Sequence, residues 1–193
     1  MKRVGITGGM GCGKSTVVEA FARLGVPSFV ADRAGAGCYR HPAFLNEVRR
    51  LFGNGVFSAD GAPDKRRIAA RVFANPAEMQ ALNALVHPRV MQAFEAFCLR
   101  HADAPYVLFE SAILYDYGFD SLMDSVICVY LSLEERLSRL AVRDSVPREE
   151  LMARIRRQMP AEEMMRRADY VILNYEGNPR QRQVAYIDKM LKQ

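Results

Sequence analysis

The sequence has no tryptophan, only five lysines against 22 arginines, and four cysteines that stand 26, 60 and 30 residues apart. Each shortage excludes something. Cys12, Cys38, Cys98 and Cys128 form no C-x-x-C metal or redox pair and no dense disulfide framework, so reduced thiols are expected. No run approaches the ~18 uncharged apolar residues of a membrane span. Met1-Lys2-Arg3 leads into a glycine-rich stretch rather than a signal-peptide apolar core, so a soluble, cytoplasmic protein without membrane contact is expected. None of the lysines lies in an Asn-Lys-x-Asp context, which argues against a guanine-specific switch even though Asp32-Arg33-Ala34-Gly35 fits the short D-x-x-G pattern. There is no internal repeat and no low-complexity tract.

What is present is the material of one globular domain: 193 residues, half of them apolar and a quarter charged, with a formal charge of +5. Arginine in such excess over lysine points to anionic ligands, because the guanidinium fork matches phosphate and carboxylate.

Short apolar runs alternate with longer amphipathic stretches. Residues 3–6, 28–30, 106–109, 126–131 and 170–173 read as strands, apolar enough to be buried on both faces. Between them Val17, Phe21 and Leu24, then Met79, Leu82 and Val86, then Val90, Phe94 and Phe97, then Leu133, Leu137 and Leu140 recur at helical spacing. Strand and helix in alternation predict an α/β fold with a five-stranded parallel sheet between helical layers. Pro88 predicts a helix break at His87. About seventy residues between the second and third strands predict an inserted helical subdomain, and residues 143–168 a second helical insertion. The expected layout is a single domain with its core at about 1–32, 104–142 and 169–193, a substrate subdomain at about 33–103 and a lid at about 143–168.

Gly8-Gly9-Met10-Gly11-Cys12-Gly13-Lys14-Ser15 fits G-x-x-x-x-G-K-[ST], directly after one predicted strand and at the start of a predicted helix. Glycines let the backbone wrap an anion, and the helix offers the positive end of its dipole. Lys14 is then expected on the β- and γ-phosphates of a nucleoside triphosphate, Ser15 on Mg²⁺, and Thr16 near the α-phosphate. Cys12 is read as a small residue whose backbone matters, with a redox thiol as the other possibility.

Two carboxylates fall at predicted strand ends. Asp32 ends the second strand, Ser28-Phe29-Val30-Ala31-Asp32, where it would take a proton from an attacking hydroxyl or simply cap the next helix. Glu110 ends the third strand, as a Mg²⁺-holding acid or an ordinary strand-end acid, and Asp116 lies nearby. From Arg136 to Arg167 nine arginines face five acids, a net +4 that holds nearly all the excess charge. Either these cations serve a lid over the phosphates or they belong to a solvated face laced with i,i+4 pairs. Arg139 and Arg143, four apart, are the pair expected at the phosphates. Nucleic acid is disfavoured as a partner: there is no tryptophan, and that basic segment carries no Phe or Tyr for base stacking. Chain length favours a compact kinase.

The loop Gly5-Ile6-Thr7-Gly8-Gly9-Met10-Gly11-Cys12-Gly13-Lys14-Ser15-Thr16 resembles that of the dephospho-CoA kinases. So do Ala31-Asp32, Leu82-Asn83-Ala84-Leu85-Val86-His87-Pro88, Arg139 with Arg143-Asp144, Gln158-Met159, and Ala168-Asp169-Tyr170-Val171-Ile172-Leu173-Asn174. The resemblance implies a three-layer P-loop kinase fold and transfer of the ATP γ-phosphoryl to the ribose 3′-hydroxyl of dephospho-CoA, with Asp32 as base. It also implies that His87, Arg89 and Tyr115 face that substrate. The chain departs from the family at Val30, at Ala112-Ile113-Leu114-Tyr115-Asp116 and at Arg136, where glutamine is common. The runner-up is a nucleoside or nucleoside monophosphate kinase; oligomeric state is left open, with a monomer compatible.

Overall fold

The computed structural model describes residues 1–144 and 146–193; Ser145, inside the expected lid, lies outside the described residues. Two compact units emerge, Met1–Val30 with Cys98–Gln193, and Ala31–Phe97.

The first unit carries a five-stranded sheet in the order β2-β3-β1-β4-β5, with every pairing parallel. Its strands are β1 (Lys2–Thr7), β2 (Ser28–Val30), β3 (Tyr106–Glu110), β4 (Ser125–Tyr130) and β5 (Tyr170–Leu173). Strand alternation sorts the two faces. Val4, Ile6, Tyr106, Leu108, Ile127, Val129 and Ile172 share one core cluster with Val17 and Phe21 of α1 (Lys14–Ala22) and Val184, Ile187 and Leu191 of α9 (Arg180–Leu191). On the opposite face Phe109 stacks with Phe29 and meets the edge of Phe119. Gly5 lies on this face with its α-carbon against Leu114 and Met123, where an added methyl would sit 2.9 Å from a Leu114 Cδ. After β4 the chain forms α6 (Leu133–Asp144), α7 (Arg148–Ile155) and α8 (Ala161–Arg167). Leu137 and Leu140 of α6 pack with Leu151 of α7 in a small separate core.

The second unit is helical. Its α2 (Ala31–Cys38), α3 (Pro42–Phe52), α4 (Lys65–Ala74) and α5 (Pro76–Arg100) surround Cys38, Phe44, Val48, Phe52, Ile68, Val72 and Leu82. The last turn of α5 runs into the first unit.

Two sequence expectations need correction. Helix α5 does not break at His87: it runs through Pro88 to Arg100. A proline inside a helix costs about 3 kcal/mol, but Leu82, Val90 and Phe94 on either side are buried, at ~1.5–3 kcal/mol each. The Arg89 guanidinium also donates to the Leu85 carbonyl at 2.7 Å, one turn before its own position. Asp32 does not end β2. Pairing stops at Val30, opposite Glu110, and Ala31 opens α2, so Asp32 lies in a helical first turn where a carboxylate suits the dipole.

Candidate active site

Strand β1 is the centre of the sheet, so its carboxyl end opens between the ends of β3 and β4, where parallel sheets bind ligands. The segment from Gly8 to Gly13 leaves that end and delivers Lys14 as the first residue of α1. Gly13 takes φ +88°, and a side chain there would run into the Asn174 amide; at Gly8 one would strike the Val129 carbonyl. Only glycine fits both the dihedral and the space. No side chain caps α1, and its first ladder bond is Val17 N–H to the Gly13 carbonyl at 3.3 Å. The amides of Lys14, Ser15 and Thr16 therefore have no helical acceptor and are available to an anion.

A cavity of about 270 Å³ opens on this turn, lined by Gly11, Gly13, Lys14, Ser15, Thr16, Arg139, Leu140 and Arg143. Lys14 Nζ donates to the Gly8 carbonyl at 2.8 Å, folding its ammonium back over the loop. Arg139 reaches the cavity from α6 and donates to the Asn174 carbonyl at 3.2 Å. Arg143, one turn on, is held by both oxygens of Asp144 at 2.5 and 2.9 Å, yet its side chain is 65% exposed. The expected pair thus lies on one helix face with the loop.

The other expected residues are placed differently. Gly9, Met10 and Cys12 belong to the loop without lining the cavity; Cys12 is 1% exposed and all four cysteines are buried and unbonded to one another. Glu110 is half-buried at the end of β3, beside the β1 terminus. Asp116 accepts the Met159 N–H at 3.0 Å, and burial raises its pKa above the usual carboxylate range. In the helical unit Asp32 is exposed, and among the described residues no hydrogen bond engages its carboxylate. Burial lowers the pKa of His87. Arg89 pairs with Glu47 at 2.8 Å and lies over the Phe44 ring, partners that already use much of its guanidinium. Tyr115 is 7% exposed beneath Arg167, its hydroxyl enclosed with no hydrogen-bond partner among the described residues and its pKa pushed up to about 12, chiefly by burial. That phenol is enclosed and does not line the cavity on the phosphate loop.

Sequence reasoning gave no bracing role to the residues that hold the loop from behind, and read Arg136 only as one of the nine lid or surface arginines. Asn174, 2% exposed just past β5, donates to the Cys12 carbonyl at 2.7 Å and accepts Arg180 Nε at 2.8 Å. Arg136, 3% exposed, donates to the Met10 carbonyl at 3.0 Å. Gln158, between α7 and α8, accepts the Met10 N–H at 2.9 Å. A polar residue at the end of an apolar strand and a lone arginine on the apolar side of α6 were the available signals.

A glycine cradle at the end of a central parallel strand, an N-terminal helix turn and converging Lys and Arg side chains define a P-loop phosphotransferase. Comparison with known proteins narrows the class. The family model CoaE, dephospho-CoA kinase, matches residues 2–179. A dephospho-CoA kinase of Deinococcus radiodurans is 35% identical over 195 residues, covering 100% of this chain and 92% of that protein. One from Chlorobaculum tepidum is 39% identical over 178 residues, covering 89% and 85%. The crystal structure of TT1252 from Thermus thermophilus has TM-score 0.90 and 33% identity over 98% of this chain and 96% of that one. The chain belongs to the dephospho-CoA kinase family, and the nucleoside kinase reading is not favoured.

Proposed function

We propose that this protein transfers the γ-phosphoryl group of ATP to the ribose 3′-hydroxyl of dephospho-CoA, giving coenzyme A and ADP in the cytoplasm. The observation that carries the reading is the 270 Å³ cavity in which loop amides, Lys14, Arg139 and Arg143 converge, in a chain of this family. The donor set suits a polyphosphate: backbone N–H groups and cations surround it, and the loop glycines leave no side chain in the way.

Phosphoryl transfer asks the protein for positioning and for charge opposite the developing negative oxygens. The first turn of α1 and Lys14 hold the β- and γ-phosphates, Lys14 exchanging the Gly8 carbonyl for a phosphate oxygen. Arg139 and Arg143 approach from α6 and neutralise the transferring group. Ser15 would hold Mg²⁺, with Glu110 as the candidate carboxylate; the ion would supply charge neutralisation to the phosphates. Asp32 takes the proton of the acceptor hydroxyl. Chain connectivity puts it two residues past the carboxyl end of β2, and its carboxylate is not committed to a cap. The helical unit, 31–97, is assigned to the acceptor and the α7–α8 segment to the lid.

Purified protein given Mg·ATP and dephospho-CoA should release ADP and form coenzyme A stoichiometrically, with adenosine and nucleoside monophosphates turning over far more slowly. ADP release no faster with dephospho-CoA than without it would refute the proposal.

A further inference from the structure

The peptide groups on either side of the Met10 α-carbon are held by two side chains from different parts of the first unit. The N–H of Met10 is accepted by Gln158 Oε1 at 2.9 Å, and its carbonyl accepts Arg136 Nε at 3.0 Å. Gln158 is itself anchored, its amide donating to the Ala112 carbonyl at 3.3 Å, and the next residue is tied to Asp116. The Arg136 guanidinium lies flat on the loop: a methyl at Gly9 would come within 2.5 Å of its Nη1. A buried guanidinium is an expensive part. Arg136 is 3% exposed, and among the described residues no carboxylate stands within ion-pair distance of it. Desolvation of that kind costs several kcal/mol, so stability alone gives no reason for a cation here.

We propose that Arg136 and Gln158 are positioning residues for nucleotide binding, which together fix the two peptide planes at Met10 and so hold the phosphate loop in its anion-ready curve before ATP arrives. The inference rests on reading this loop as the ATP site. Met10 precedes Gly11, whose φ of +83° starts the turn that brings the following amides to the cavity. Rotating either Met10 peptide redirects everything after it, and Gln158 links that rotation to the α7–α8 segment.

Calorimetric titration of Mg·ATP into the intact protein tests this without turnover. Arg136→Met and Gln158→Leu should each weaken ATP binding about tenfold, while the KM for dephospho-CoA stays within about twofold. The double variant should be much less than multiplicatively worse, since both act on one residue. Arg136→Lys, which keeps a donor for the Met10 carbonyl, should recover most of the loss. The Tm of Arg136→Met should hold or rise, because an apolar replacement removes a buried charge. ATP affinity within about twofold of wild type in the single variants, or a lowered Tm with unchanged affinity, would assign both residues a structural role only. Should Arg136→Met fail to fold, Arg136→Lys and Gln158→Leu carry the same comparison. Wild-type protein that binds no Mg·ATP would overturn the site assignment itself, a different result from variants that bind normally.

Discussion

The segment from Arg136 to Arg167 holds a net +4 of the chain's +5, but its arginines on α6 and those beyond α6 meet different partners. On α6, Arg136 and Arg139 donate to backbone carbonyls of the phosphate loop and its brace, and Arg139 and Arg143 line the cavity, Arg143 while also paired with Asp144. Beyond α6 the pattern is surface ion pairing: Arg148 with Glu134 at 2.8 Å, Arg154 with Glu150 at 2.5 Å, Arg167 with Asp120 at 3.0 Å. Net charge over a segment therefore does not say where its field is spent. Carboxylates neutralise much of the α7–α8 charge at the surface, where each such pair is worth ~0.2–1 kcal/mol. The α6 guanidiniums act next to oriented amides, and what they contribute is geometry at an anion site.

The contrast can be broken in graded steps. Lys14→Ala removes the one ammonium of the loop and should lower kcat/KM for ATP by ~10³, with weaker nucleotide binding in titration. Asp32→Asn should cut kcat by ~10² or more and leave ATP affinity within a few-fold, read from steady-state kinetics beside equilibrium binding; an unchanged kcat would return Asp32 to a helix-terminal role. Asn174→Ala orphans the Cys12 carbonyl and Arg180 Nε, so urea unfolding should show a loss of ~1–3 kcal/mol together with several-fold weaker ATP binding. Arg148→Ala with Arg154→Ala should change kcat less than twofold and Tm by no more than about 2 °C, as expected for exposed pairs.

Much of this was legible before the structure. Strands at 28–30 and 170–173 coincide with β2 and β5, and the others differ by a residue or two, because short apolar runs bounded by turn residues mark strands; the edge strands β2 and β5 are only partly buried, contrary to the expectation of burial on both faces. The phosphate loop was legible because its chemistry demands glycine at fixed spacing. Pro88 misled: a local backbone penalty was outweighed by tertiary burial on both sides of it, which periodicity around 82–94 hinted at and the proline rule overrode. The bracing set of Arg136, Gln158 and Asn174 was invisible in role, since each acts across more than a hundred residues on a backbone atom, and backbone acceptors leave no mark on sequence. Tyr115 was named only through the family resemblance, and its burial beneath Arg167 left no mark on the sequence.

The most direct test sets the two arginine groups against each other in one assay of coenzyme A formation. Arg139→Ala should lower kcat by ~10², whereas the double variant Arg148→Ala with Arg154→Ala stays within about twofold of wild type. Equal losses in the two proteins, or a larger loss in the double variant, would contradict the claim that catalytic charge resides on α6.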